Sequence, residues 1–308
     1  MRIGALFKKA WVAIFFAAGL IYVAYYFLAL APRLTHTVNP SPGLLWLAVA
    51  IQIACLLLLA QLWRSVLSGV SAARLTLLQS MAQLALVGIG KYLPGKIWGM
   101  VARGAHVQRY GFEASAALLA TYHEQALLLH AAVLTCATLI AWLYHWHWLA
   151  VIAIASLLSG PLLLHRLWGV FTWLAALSQR MTTAPRFTHL SLRRYLYLSL
   201  GYSLNWLING LALAVIYYSC FTRPFTFELL GTLVLANTAG ISLGFFALFA
   251  PGGIGVREAV TSALLAQHMP LADAALLSVL YRFWLIAWDL ALGGLFALYH
   301  LYNRNTCE

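Results

Sequence analysis

The sequence predicts an all-α, polytopic integral membrane protein with about six full spans and two re-entrant helical hairpins. Of the 308 residues, 63% are hydrophobic and only 8% are charged, whereas soluble domains carry roughly a quarter charged residues. Apolar runs of about 20 residues, the length that crosses the hydrocarbon core as a helix, recur along the chain. Two further apolar runs are interrupted near the middle by Pro-Gly.

The full spans follow from the uninterrupted apolar runs. The first run could be mistaken for a secretory signal, because Lys8 and Lys9 precede it. It is longer than the roughly 7–15 residues of a signal core, and Pro32 stands where cleavage would have to occur, so we expect an uncleaved helix. The predicted spans are residues 10–31, 44–63, 114–143, 148–165, 195–220 and 275–300.

The placement of lysine and arginine predicts the orientation. The chain has 19 such residues and a net charge of +12, and in membrane proteins they concentrate in cytoplasmic loops. The connection before residue 195 is rich in arginine, whereas only Arg33 and Arg223 fall in loops of the opposite side. Counting residues 76–102 as a full crossing would place that connection outside. We therefore expect these residues to form a cytoplasmic hairpin turning at Leu93-Pro94-Gly95, with both termini cytoplasmic.

The second interrupted run, residues 229–266, is interpreted by analogy as a hairpin that enters from the outside and turns at Pro251-Gly252-Gly253. Residues 44–143 and 195–300 then form two repeats of opposite orientation, an architecture found in many transporters. Identity between the halves is slight, so this inverted repeat rests on pattern alone. Within a single transmembrane domain of residues 1–308, the accessory helices are residues 1–31 and 148–180.

The segment APGGIGVRE, residues 250–258, predicts an anion-binding turn. Broken backbone at membrane depth is tolerated only where it is buried in protein or lines a watery cavity. Pro251 stops the incoming helix, and Gly252 and Gly253 let the backbone turn. The next half-helix begins with unpartnered amides at the positive end of its dipole. Arg257 adds a guanidinium fork suited to phosphate.

The segment KYLPGKIWGMVAR, residues 91–103, offers the same parts. A Pro-Gly turn is followed by Lys96, and Arg103 lies two turns further on. Both hairpins also carry a GxxxG spacing, at Gly95 to Gly99 and at Gly240 to Gly244. This spacing allows helices to approach closely.

Glu124 is predicted to lie within a span, where an unpaired carboxylate is costly. It should therefore face a partner or water. One interpretation is headgroup contact or proton coupling. The other is a structural ion pair with Lys91, Lys96 or Arg103 that holds helices together.

Two charges in the last span raise the same alternatives. Arg282 and Asp289 are seven residues apart and share one helix face, but two turns are too far for a direct bond. A third group, such as Arg257 or Glu258 of the hairpin, would satisfy both. Substrate binding and structural pairing are equally compatible with this pattern.

Neither a metal site nor a cofactor is predicted. His123-Glu124 begins like a zinc protease motif, but that motif needs a second histidine at position 127, which is leucine. His123 and His130 share a face, yet they supply only two ligands. The cysteines show no paired spacing that would favour a disulfide or a CxxC site; they are Cys55, Cys136, Cys220 and Cys307.

Four segments together resemble the transmembrane family named for the lysylphosphatidylglycerol synthase/flippase: KYLPGKIWGMVAR, the acidic residue of TYHEQA, FAPGGIGVREA and LLSVLYRFW. The similarity runs from about residue 44 onward, and PGGIGVRE is its most specific part. In bifunctional members, a cytosolic aminoacyl-transferase domain follows the membrane part. The chain ends at Glu308 without such a domain, so the resemblance implies the lipid-translocating half and no enzyme.

The resemblance implies a flippase-like transporter in the cytoplasmic membrane. Its cargo would be an anionic lipid: a phospholipid, an aminoacyl-phospholipid or a polyprenyl-phosphate-linked lipid. The alternative is a membrane-embedded enzyme or accessory subunit acting on lipid-linked sugars or lipid phosphates. Anionic lipids are the expected partners and nucleic acid is not, while a homo-oligomer and a lipid-modifying enzyme or glycosyltransferase partner stay open. The predicted headgroup site contains Lys96, Arg103, Glu124, Gly252, Gly253, Arg257, Glu258, Arg282 and Asp289.

Overall fold

The computed structural model describes residues 40–91, 98–177, 190–221, 224–247 and 251–305, and within them it contains helices and no strand. The predicted first span, the first Pro-Gly turn and Lys96 lie outside the described residues. The helices are α1 (Pro42–Leu67), α2 (Leu77–Gly90), α3 (Trp98–Gln108), α4 (Ala114–Leu143), α5 (His147–Leu177), α6 (Leu192–Cys220), α7 (Phe227–Phe246), α8 (Val256–Leu265) and α9 (Leu271–Asn305).

Six of the helices in the described part of the chain are long and apolar enough to cross a membrane: α1, α4, α5, α6, α7 and α9. Large apolar side chains on them point outward, among them Trp46 at 73% and Val151 at 66% exposure. Apolar exposure on this scale suits a lipid environment rather than water. The prediction of an all-helical, polytopic membrane protein is confirmed.

Helix α7 is longer than the arm of a re-entrant hairpin needs to be. Five of the six long helices coincide with predicted full spans, but α7 is the first arm of the interrupted run 229–266. Its 20 residues correspond to about 30 Å of helix, enough to cross. The second arm, α8, has only 10 residues. The re-entrant placement of both arms stays a prediction.

The chain divides into two compact units. Described residues up to Gln52, those within Leu84–Ala102, and those from Asn209 onward form the first unit. Ile53–Gln83 and the described part of Arg103–Ile208 form the second. Each unit therefore draws residues from both predicted repeats, and the inverted repeat itself stays a prediction.

In the first unit, α7 and α8 run antiparallel. Thr232 near the start of α7 contacts His268 just after α8 at 3.0 Å, and the Thr261 hydroxyl donates to the Ala236 carbonyl at 3.3 Å. The helices approach closely because Gly240 faces Thr261, whose Oγ1 would lie 2.3 Å from a Cβ at position 240. This contact bears out the close approach predicted from the GxxxG spacing at Gly240 to Gly244.

Helices α6, α7, α8 and α9 enclose the apolar core of the first unit. Leu213, Leu233, Leu265 and Leu277 are fully buried and belong to one cluster. In the first interrupted run, a Cβ on Gly99 would lie 2.8 Å from the Cα of Val87, so α2 and the start of α3 also pack tightly. The described arms of that run therefore fold back on each other, as a hairpin requires.

The second unit contains an antiparallel helix pair formed by α4 and α5. The Tyr122 hydroxyl donates to the Leu164 carbonyl at 2.7 Å. His130, considered above as a metal ligand, instead shares hydrogen bonds with Ser156 of α5 at 2.8 Å and Tyr195 of α6 at 2.9 Å. Such polar contacts between apolar helices hold them in register.

Candidate functional site

The Pro-Gly-Gly segment forms the predicted turn. Pro251–Gly253 is a single 3₁₀ turn, and Gly252 and Gly253 adopt positive φ angles of 60° and 72°. Glycine reaches this left-handed region without the steric cost that a Cβ brings. A Cβ on Gly253 would also lie 2.7 Å from the carbonyl oxygen of Gly244. The local sequence therefore dictates the break that separates α7 from α8.

A glutamate of the same segment occupies the start of α8. The backbone N–H of Gly255 donates to Glu258 Oε2 at 2.6 Å, as in one half of a capping box. Arg282 of α9 donates from Nη1 to Glu258 Oε1 at 2.8 Å, and both side chains are buried. The prediction placed open amides here. Instead, the Glu258 carboxylate accepts the hydrogen bond of the Gly255 amide. A carboxylate is favoured at the positive end of a helix, and Arg282 neutralises its charge.

Lys91 joins the two interrupted runs. Its carbonyl oxygen accepts a hydrogen bond from the N–H of Gly252 at 3.1 Å. Its Nζ lies 2.6 Å from Asp289 of α9, with the lysine side chain 42% and the aspartate side chain 12% exposed. The end of α2 thus meets the turn before α8 and the middle of α9 at one residue.

Arg257 lies beside this junction and is partly exposed. Its guanidinium carbon is 5.6 Å from the ring centroid of Tyr281, within the range of a cation–π contact. The Tyr281 hydroxyl donates to the carbonyl oxygen of Asn209 at 3.0 Å, which fixes the ring. The cation is therefore supported by a side chain that is itself held in place.

The first unit brings most of the predicted site residues together. Two ion pairs and the nearby Arg257 contribute three cations and two carboxylates to this part of the unit, so their summed formal charge is positive. The sequence predicted one third group that would satisfy both charges of the last span, but the structure gives each charge its own partner: Glu258 pairs with Arg282, and Lys91 pairs with Asp289. This site, called the junction cluster below, consists of Lys91, Gly252, Gly253, Arg257, Glu258, Arg282 and Asp289.

Arg103 and Glu124 form a separate pair in the second unit. Arg103 Nη2 donates to Glu124 Oε2 at 2.5 Å, and both residues are buried. The guanidinium carbon lies 3.8 Å from the centroid of the Trp63 ring. Of the two interpretations offered for Glu124, the structure displays the ion pair with Arg103.

Sequence reasoning missed Lys91 and Trp63 as members of these sites. A signal existed for Lys91, which is a lysine at predicted membrane depth next to the first Pro-Gly turn. Nothing marked Trp63, because tryptophans are common in apolar spans. Among the described residues, no group of three or more His, Cys, Asp or Glu is placed to hold a metal ion.

Comparison with known families places these features in context. The family model described as "Lysylphosphatidylglycerol synthase TM region" matches residues 10–293. The match covers the Pro-Gly segments and every residue of the junction cluster. The comparisons with curated proteins and with solved structures give no match.

Proposed function

Because the chain belongs to the family of the lysylphosphatidylglycerol synthase TM region, we propose that it translocates an anionic lipid across the cytoplasmic membrane. The observation that carries the proposal is the junction cluster, in which a broken helix brings charged side chains together inside an apolar helical unit. Broken backbone and ionisable groups within membrane helices mark substrate pathways. A purely structural protein would fill such positions with apolar side chains at lower cost.

Arg257 is the proposed ligand of the headgroup phosphate. It is partly exposed, its guanidinium presents donors in a planar fork, and it lies in the first turn of α8, shortly after the Pro-Gly-Gly turn. Arg282, predicted above as a second ligand, donates to Glu258. In the proposal, this buried pair holds α8 against α9, and Arg257 meets the phosphate.

The Lys91–Asp289 ion pair is the proposed place where a lipid phosphate can replace a carboxylate as the partner of a cation. Lys91 is the more exposed partner of that ion pair, so an arriving phosphate can compete with Asp289 for the ammonium group. The headgroup would cross along the junction cluster while the acyl or prenyl tails remain in lipid. The lipid that copurifies with the protein, identified by mass spectrometry, would name the cargo.

The test is lipid transport in reconstituted vesicles. Arg257→Gln should weaken headgroup binding about 10- to 100-fold, because a charge-assisted contact of about 1.5–3 kcal/mol is lost. Arg257→Lys should be intermediate, since it keeps the charge and loses the fork. Arg109→Gln, an exposed arginine outside the cluster, serves as the matched control and should transport at the parental rate.

Each variant must first be shown to fold and insert normally. If Arg257→Gln then moves lipid as fast as the parent, the headgroup does not bind at Arg257. PGGIGVRE would in that case be a structural hairpin whose charges only balance one another.

The proposed orientation has both termini in the cytoplasm. A reporter that is active only outside the cell should be silent when fused after Glu308 and active when fused near His145, in the connection between α4 and α5. Activity at the C-terminal fusion would contradict the external hairpin, because it requires an odd number of crossings.

A further inference from the structure

Three buried side chains of the second unit each carry an atom without a hydrogen-bond partner among the described residues. These atoms are Gln83 Nε2, Arg103 Nε and Tyr202 Oη. Gln83 and Tyr202 are 0% exposed and Arg103 is 1% exposed. They come from three different helices, α2, α3 and α6, so tertiary packing rather than local sequence has assembled them.

Trp63 and Glu124 link the three side chains into one cluster. Trp63 Nε1 donates to Gln83 Oε1 at 2.7 Å, and Arg103 stacks on the Trp63 ring at 3.8 Å. Arg103 donates to Glu124, and Tyr202 lies near enough to interact electrostatically with both charges. The hydrogen bonds and the ring contact link Gln83 to the buried Arg103–Glu124 pair through Trp63, and Tyr202 lies within electrostatic range of the same pair.

The side chains cannot satisfy themselves by turning. The Gln83 carbonyl is held by Trp63, which directs the amide nitrogen away from the indole. Arg103 donates from Nη2 to Glu124, and its guanidinium carbon lies 3.8 Å from the centroid of the Trp63 ring. These two contacts restrict the rotation of the side chain and leave Nε to another partner. Each buried group left unsatisfied would cost about 1–3 kcal/mol, a large share of the total stability of a typical protein.

The chemistry of the cluster defines what it binds. Arg Nε–H and the Gln amide nitrogen only donate, so their partner must be an acceptor. Glu124 already neutralises Arg103, so an added anion would bring uncompensated charge into a buried site. The ligand is therefore small and uncharged. We propose that water is bound here, held by Gln83, Arg103 and Tyr202 beside the Arg103–Glu124 pair.

Buried water typically makes about three hydrogen bonds to otherwise unsatisfied polar groups, which is the number of unpartnered atoms at this site. Water at this site would place hydrogen bonds that can change partners next to the Glu124 carboxylate, among the apolar helices. This proposal concerns the second unit and does not depend on lipid binding at the junction cluster.

The proposal is tested by whether Tyr202→Phe raises or lowers the midpoint of thermal unfolding. If Tyr202 Oη is bonded to water, Tyr202→Phe removes a hydrogen bond and should lower the midpoint of thermal unfolding in nanodiscs by about 2–4 °C. If the site is dry, the same substitution removes an unsatisfied hydroxyl and raises the midpoint. Tyr281→Phe, whose hydroxyl donates to a carbonyl at 3.0 Å, is the control for a hydroxyl with a partner and should lower the midpoint.

A second measurement needs no substitution. X-ray radiolysis of the parental protein in H₂¹⁸O generates hydroxyl radicals from bound water, which label adjacent aromatic side chains. Trp63 and Tyr202 should take up ¹⁸O, whereas Tyr217, buried in the apolar core of the first unit, should not. A raised midpoint in Tyr202→Phe, or no label above the Tyr217 level at Trp63 and Tyr202, would overturn the proposal.

Discussion

Replacing Glu258 with alanine is expected to destabilise the protein by about 3–5 kcal/mol, the usual cost of breaking a buried ion pair by removing one partner. The substitution leaves Arg282 buried without its carboxylate and strips the cap from the Gly255 amide. The loss would be a large fraction of the roughly 5–15 kcal/mol that stabilises a typical protein. Denaturant or thermal unfolding of the protein in nanodiscs measures it.

Two further variants separate structure from function. Replacing both Glu258 and Arg282 with leucine should recover much of the stability, because no buried charge is left alone. Glu113→Ala, at an exposed glutamate before α4, should change stability by no more than about 0.5 kcal/mol. A double variant that is stable and still transports lipid would agree with the structural role proposed for the pair, whereas parental stability in Glu258→Ala would contradict the expected effect.

Replacing Gly253 should have a comparable effect through the backbone. Its φ of 72° costs an L-residue about 1–2 kcal/mol. In addition, the new Cβ would lie 2.7 Å from the Gly244 carbonyl oxygen, a contact with backbone that cannot swing aside. We expect Gly253→Ala to lose about 3 kcal/mol or more, and Gly253→Val to lose the folded hairpin and transport together.

Gly104→Ala is the matched control for this prediction. A Cβ at position 104 meets nothing within 4 Å, and the residue lies inside α3. Alanine should therefore be neutral or stabilising by about 0.5–1 kcal/mol. If Gly253→Ala behaves like Gly104→Ala in an unfolding experiment, the turn is not the rigid break described here.

The local sequence by itself determined that this is a helical membrane protein and that the chain turns at Gly252 and Gly253. Transfer of an apolar helix into lipid depends on its own length and composition, so the runs that became α1, α4, α5, α6 and α9 could be recognised without knowing what they contact. The turn could be recognised for a similar reason. Proline removes a helical hydrogen bond, and glycine admits a positive φ, wherever the segment packs.

Only the tertiary structure decided which charges meet. Sequence spacing showed that Arg282 and Asp289 share a face and that each needed a partner, but Glu258 and Lys91 reach them from distant parts of the chain. The sequence left three cations as possible partners of Glu124. Packing placed Arg103, which lies against the Trp63 ring, next to this carboxylate. Ion pairing depends on distances of a few ångströms between side chains, and helix packing sets those distances, whereas hydrophobic length and turn chemistry act within one segment.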